Sequence, residues 1–222
     1  MIAGGPSGQV WAYDTATGDL VASFKTDLVD QPDPVFINDL AATRNGDVYV
    51  TDSFGPVIYR IDSEAFPQES TDPQPLEVWL DLEGSPIEYG DGFNLNGIVV
   101  TPDDRYLLTV QSNTGKLYRI DLETQAIEQV DLGDAVLSEG DGLVLQGHTL
   151  YVVDHEGVVQ VRLSGDWSEG EVVGKILDES FAYPTTAAEG RGRLYVVNSQ
   201  FDRQGPPDTS EQPFTLSVVR LN

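Results

Sequence analysis

Cysteine is absent from all 222 residues. That removes a disulfide framework, a thiolate metal site and a cysteine nucleophile together, and leaves the redox compartment open. Basic residues are scarce: 12 Lys and Arg stand against 37 Asp and Glu, a formal charge of −25. A surface that acidic repels nucleic-acid phosphates and anionic lipid, so neither nucleic acid nor a membrane is an expected partner. It attracts cations instead. The plainest reading is a solvated acidic surface suited to high salt or the extracellular medium, and an extracellular or periplasmic location is favoured. Long apolar runs are missing too, and none approaches the roughly 18 residues of a membrane span. The opening Met1-Ile2-Ala3-Gly4-Gly5 has neither the basic segment nor the apolar stretch of a signal peptide. Gly-x-Ser-x-Gly does not occur, since Gly5-Pro6-Ser7-Gly8-Gln9 breaks at its last position. His155-Glu156 is followed by no second zinc-binding histidine, and there is no Gly-rich phosphate loop.

What the chain does have is a phrase said four times. From Phe93 to Asp121 short apolar runs, Ile98–Val100, Tyr106–Val110 and Leu117–Ile120, are separated by Thr101-Pro102-Asp103-Asp104 and by Asn113-Thr114-Gly115. Such runs punctuated by Pro, Asp, Asn and Gly read as antiparallel strands joined by tight turns. Ile127–Val130 alternates apolar and polar and supplies a fourth strand. Copies open at Asn38, Asn96, Asp141 and Thr185, which lie 58, 45 and 44 positions apart. A period of about 40–50 residues with four strands per copy predicts an all-β fold, a β-propeller. The Pro/Ser/Gln-rich excursion from Ser63 to Pro75 accounts for most of the longer first spacing. Gln200 to Pro213 reads as an exposed loop, the least constrained part of the chain.

Val10–Asp14 matches Ile58–Asp62 in register, which sets Met1 opposite Tyr49. On that alignment the chain opens inside the second strand of a blade. The expectation is therefore one β-propeller domain over 1–222, about four blades plus a half-blade, from which the N-terminal blade or blades are missing.

In a propeller the innermost strands line the axis, and the loops entering them share a face with those after the second strands. Applied here, Asn38, Asn96, Asp141 and Thr185 form an inner ring. Asp52-Ser53, Gln111-Ser112, Asp154-His155 and Asn198-Ser199 form a second. Amides and a carboxylate converging on a channel mouth are hard oxygen ligands suited to Ca²⁺ or a similar cation. Equally, Asn-Gly and Asp-Gly are common turn formers. His155 lies on that face, where it is either a plain surface-loop residue or a contact to substrate. His148 belongs to a turn on the opposite face.

The phrases INDLAATRNGDVYVTD, FNLNGIVVTPDDRYLLTV and DGLVLQGHTLYVVD resemble the regucalcin/gluconolactonase/luciferin-regenerating family of six-bladed propellers, from residue 36 onward. The resemblance implies a divalent metal on the axis, Ca²⁺ foremost and Zn²⁺ or Mn²⁺ as alternatives. Asn96 and Asp141 match the family's metal-binding asparagine and aspartate, and Asn38 matches a further asparagine near substrate and metal. The family's metal-binding glutamate has no counterpart, because its segment precedes Met1. It implies also a metal-dependent hydrolase of sugar lactones or related esters, monomeric when intact, acting on a small-molecule substrate. Asp141 would be both metal ligand and catalytic base, with Asn38 and His155 binding substrate. The competing reading is a non-catalytic propeller that binds a small ligand or a protein on the same face.

Overall fold

The computed structural model describes residues 1–30, 34–66, 72–205 and 207–221. Among the described residues five sheets follow one another along the chain, antiparallel throughout except for one pair in the first. Apart from three short 3₁₀ turns, the described residues contain no helix. The second sheet shows the plan. Its strands β4 (Ile37–Ala42), β5 (Val48–Asp52) and β6 (Val57–Ile61) pair in sequence, with β8 (Glu77–Asp81) outermost. The third repeats it with β9 (Leu95–Val100), β10 (Tyr106–Gln111), β11 (Lys116–Asp121) and β12 (Ile127–Gln129). The fourth comprises β13 (Leu143–Gln146), β14 (Thr149–Val153), β15 (Val158–Leu163) and β16 (Gly170–Ile176). The fifth has three strands, β17 (Pro184–Glu189), β18 (Arg193–Asn198) and β19 (Leu216–Arg220).

The propeller class expected from the repeats is therefore present, but the blade count differs. The first sheet is not a half-blade. It runs β1 (Ile2–Ala3), β2 (Gln9–Tyr13), β3 (Leu20–Lys25) and β7 (Gln74–Pro75), the last paired parallel to β3 through Phe24 and Gln74. That fourth strand comes from the excursion between Ser63 and Pro75, whose end reaches back to cover the edge of β3. A two-residue parallel strand carries no periodicity of its own, so the repeat pattern does not announce it. Residues 67–71 of the excursion, like 31–33 of the Asp27–Val35 loop, lie outside the described residues.

The middle strands read as unbroken apolar runs because both faces of each blade are covered. Side chains alternate across a strand, and the alternation assigns them to different interfaces. Val48 and Val50 pack toward the first sheet, with Val10, Ala22 and Phe24. Tyr49, between them, packs toward the third, with Leu107 and Tyr118. Leu108 and Val110 meet Leu150 and Val152 of the fourth sheet, and Tyr151 and Val153 meet Leu194 and Val196 of the fifth. Four apolar interfaces thus bind five blades, each joining only sequence neighbours. A backbone bridge also joins the first and second blades, in which Ile37 and Gly5 exchange two hydrogen bonds of 3.0 and 3.1 Å.

Candidate functional site

The four residues of the inner ring meet at one cavity of about 630 Å³, lined by Asn38, Asn96, Asp141 and Thr185. Asn38, Asn96 and Thr185 sit at the start of β4, β9 and β17, whereas Asp141 lies two residues ahead of β13. Its backbone is fixed all the same. The Asp141 N–H donates to Val153 O at 2.7 Å, and its carbonyl accepts from Gly97 N at 3.0 Å.

The second ring divides in two. Asp52, Gln111, Asp154 and Asn198 are buried, bonded to their own blades and to the loops beside them. Asp52 Oδ1 accepts from the N–H groups of Phe36, Phe54 and Gly55 at 2.9, 3.0 and 2.9 Å. Asp154 Oδ1 likewise accepts from Glu156 and Gly157, both at 2.9 Å. In three of the four blades the next residue reaches the inner ring. Ser53 Oγ accepts from Asn38 Nδ2 at 2.8 Å, Ser112 Oγ from Asn96 Nδ2 at 3.0 Å, and Thr185 and Ser199 share a bond of 2.6 Å. The fourth blade breaks the pattern. There His155 stands where the serines stand, and its Nδ1 pairs with Glu139 at 2.6 Å.

These bonds settle which way Asn96 faces. The Ser112 hydroxyl spends its proton on the Gly140 carbonyl, so it can only accept from Asn96, and the amide must present Nδ2 to it. Asn96 Oδ1 is then the other atom, and it is buried without any hydrogen-bond partner. A buried unpaired acceptor costs about 1–3 kcal/mol, and Asn96 is only 6% exposed in the wall of a cavity.

Two carboxylates share the same floor. Burial pushes Asp141 up to about 7, the charge of Asp39 adds to it, and the Asn96 amide opposes it. Burial likewise raises Asp39 to about 6, against hydrogen bonds from the N–H groups of Ile98 and Leu40 at 3.1 and 2.8 Å. Among the described residues neither carboxylate has a cationic partner there, because no Lys or Arg lines the cavity.

Asn38, Asn96, Asp141 and His155, singled out from the sequence, all line this one cavity. His148 does not. It stacks on Trp167 with ring centroids 4.2 Å apart, and its Nδ1 lies 3.1 Å from Ser164 O. The loop from Gln200 is anchored at its start, for Gln200 is 3% exposed and exchanges two hydrogen bonds with the backbone of Glu211, at 3.0 and 2.7 Å. Residue 206 of that loop lies outside the described residues.

Sequence reasoning missed Asp39, Glu139 and the aromatic walls. The repeat register held a signal for several of them. Phe36, Glu139 and Tyr183 each stand two residues before a ring residue, and all three line the cavity.

No protein-family profile and no curated protein matches the chain. Solved structures do. A calcium-binding protein, regucalcin, from Agrobacterium tumefaciens superposes with a TM-score of 0.62 at 17% identity, over 98% of this chain and 72% of that one. The major Malassezia sympodialis allergen Mala s 1 gives 0.58 at 16%, over 88% and 58%. A gluconolactonase from Xanthomonas campestris gives 0.53 at 17%, over 86% and 59%. The chain thus spans somewhat under two thirds of the length of the last two. It is a β-propeller whose fold resembles that of the regucalcin and gluconolactonase propellers.

Proposed function

We propose that the chain is a metal-dependent hydrolase of lactones or related esters, with a divalent cation held on the propeller axis by Asn96 and Asp141. The observation that carries this reading is the orphaned Asn96 Oδ1, a buried acceptor in the wall of the same cavity as a carboxylate that lacks a cationic partner. Both are hard oxygen donors of the kind Ca²⁺ takes, and an amide and a carboxylate leave room for water and substrate oxygens around such an ion. When bound, the cation would supply Lewis-acid polarisation of the substrate carbonyl. Asp141 supplies the carboxylate that takes a proton from water. Asn38, whose amide is oriented by its bond to Ser53, holds the substrate, and His155 contacts it from the rim. The regucalcin and gluconolactonase likeness supports the reading at the level of fold.

Calorimetric titration of Ca²⁺, Mn²⁺ and Zn²⁺ tests it. Asp141→Ala removes a charged ligand and should abolish measurable binding, whereas Asn96→Ala removes a neutral one and should weaken it about tenfold, the equivalent of 1.4 kcal/mol. Both should lose lactone hydrolysis. His148→Ala, stacked on Trp167 away from the cavity, should bind metal and hydrolyse lactone like the parent. An Asp141→Ala protein that binds all three metals as tightly as the parent overturns the assignment.

One observation favours a second reading, a propeller that binds a ligand without catalysis. Among the described residues no three His, Asp or Glu side chains gather closely enough to hold a metal. Tight ligand binding without metal dependence or turnover would decide for it.

A further inference from the structure

The walls of the cavity say more about its ligand than its floor does. On one side Phe36, which precedes β4, packs edge-on against Phe54, which follows β5, and against Phe93, which precedes β9, with ring centroids 5.6 and 5.1 Å apart. Phe54 and Phe93 lie 5.0 Å apart. On the other, Tyr183, which precedes β17, sits 5.6 Å from the His155 ring and 5.9 Å from Phe201. Both clusters stand on loops at the same face of the propeller. The first belongs to the second and third blades and the second to the fourth and fifth, so they flank the polar floor of Asn96 and Asp141.

Phe93 is 43% exposed and Phe201 55% exposed, although each lines the cavity. Large apolar rings left open around a concave polar floor are the usual make-up of a small-molecule site. At about 630 Å³ the space suits a ligand well beyond a single sugar ring, within the roughly 300–1,000 Å³ typical of such sites.

Charge narrows the class. Asp39, Glu139 and Asp141 line the cavity, and no Lys or Arg answers them. An anionic ligand would bring a further negative charge into that field, where the described lining holds no Lys or Arg and its His155 is already paired with Glu139. A cation is favoured twice, by the carboxylates and by the faces of the rings. A second and independent pointer to a ligand is Asn96 Oδ1, nine-tenths buried and unpartnered at the floor.

We infer that the cavity takes a neutral or cationic ligand carrying an aryl group, its ring between the two aromatic clusters, and that it rejects sugar-phosphate lactones and other anions. As a substrate class, aryl lactones and aryl esters, this rests on the hydrolase reading. As a binding class it stands without it.

The test is therefore a binding measurement with turnover followed separately. Dihydrocoumarin, benzyltrimethylammonium, benzoate and δ-gluconolactone are titrated into the protein and into its Phe93→Leu and Tyr183→Leu variants, with thermal melts confirming that each is folded. Phe93→Leu keeps apolar bulk and removes only the ring. The aryl lactone and the aryl cation should bind at least tenfold more tightly than δ-gluconolactone, and benzoate most weakly of the aryl probes. Each variant should lose about tenfold for the aryl ligands and less than twofold for δ-gluconolactone. Tighter binding of δ-gluconolactone or of benzoate, no binding of any aryl probe, or equal losses for sugar and aryl ligands in the variants overturns the inference. Dihydrocoumarin that binds as expected but is not hydrolysed leaves the ligand class standing and removes the hydrolase reading.

Discussion

At the scale of single residues, Asp141 is the most loaded position in the chain. It stands at the register where the other blades carry Asn38, Asn96 and Thr185, each fixed by a serine, but its own blade offers His155, which is paired with Glu139. Burial and the neighbouring Asp39 raise it to about 7. The folded protein therefore binds a proton there that the unfolded chain, with an ordinary aspartate near 4, has already released. Stability from this group is complete below about pH 4 and is lost as pH rises through about 7. In metal-free buffer the melting temperature should fall between those limits, and Asp141→Asn should flatten the fall by about 2 kcal/mol. That is half the full linkage of a three-unit shift, since the carboxylate lines an open cavity that solvent enters. Thermal melts across the range, parent against variant, measure it. Parallel curves would show that Asp141 is no more burdened in the fold than in the unfolded chain.

At the scale of elements, the inner strands approach each other too closely for side chains. A Cβ on Gly97 would sit 2.2 Å from the carbonyl oxygen of Asp141 and 2.8 Å from the backbone nitrogen of Leu143. Gly97→Ala must push β9 away from the segment that carries Asp141, at a cost of about 2–3 kcal/mol. Cation affinity should fall with it, because Asn96 and Asp141 would no longer share a floor. A folded Gly97→Ala protein of unchanged melting temperature and metal affinity would show that the two strands are free to separate. This contact also explains what the sequence allowed and what it hid. Asn96-Gly97 and Asp141-Gly142 are visible as turn-like dipeptides, and the repeat register brings Asn38, Asn96 and Asp141 to one mouth. Nothing in a dipeptide tells whether its glycine serves a turn or a close approach, and here Gly97 lies inside a strand. Local chemistry hid more. Asp52 and Ser53 are adjacent and both polar, yet alternation sends one into the blade and the other to Asn38. Of the aromatic walls, Phe36 and Tyr183 share the repeat register two residues before a ring residue, but Phe93 and Phe201 fall outside it. Closure of the first sheet by Gln74–Pro75 depends on a parallel pairing across about 50 residues, a contact that no window of sequence contains.

At the scale of the whole molecule, the −25 charge and the axial site answer cations in different ways, and the difference is measurable. With 37 acids against 12 bases, the folded surface repels itself, and compactness makes that repulsion worse than in the unfolded chain. Several acids are locally compensated, as Asp47 is by Arg60 at 2.8 Å and Asp154 by Lys175 at 2.9 Å, but most of the excess has no basic partner to meet. Monovalent salt shortens the screening length from about 30 Å at 0.01 M to about 8 Å at 0.15 M. Raising sodium chloride should therefore lift the melting temperature continuously, in the parent and in Asp141→Ala alike, because the effect belongs to the surface and not to one residue. Calcium at fixed ionic strength is a different experiment. A site that binds only the folded state raises stability by an amount that grows with the logarithm of free ion above its Kd, about 2.7 kcal/mol at a hundredfold excess. That increment should appear in the parent and vanish in Asp141→Ala, while the sodium chloride response remains. If calcium at matched ionic strength stabilises both proteins equally, its action is surface screening, and the cavity floor of Asn96 and Asp141 serves ligand polarity without an ion.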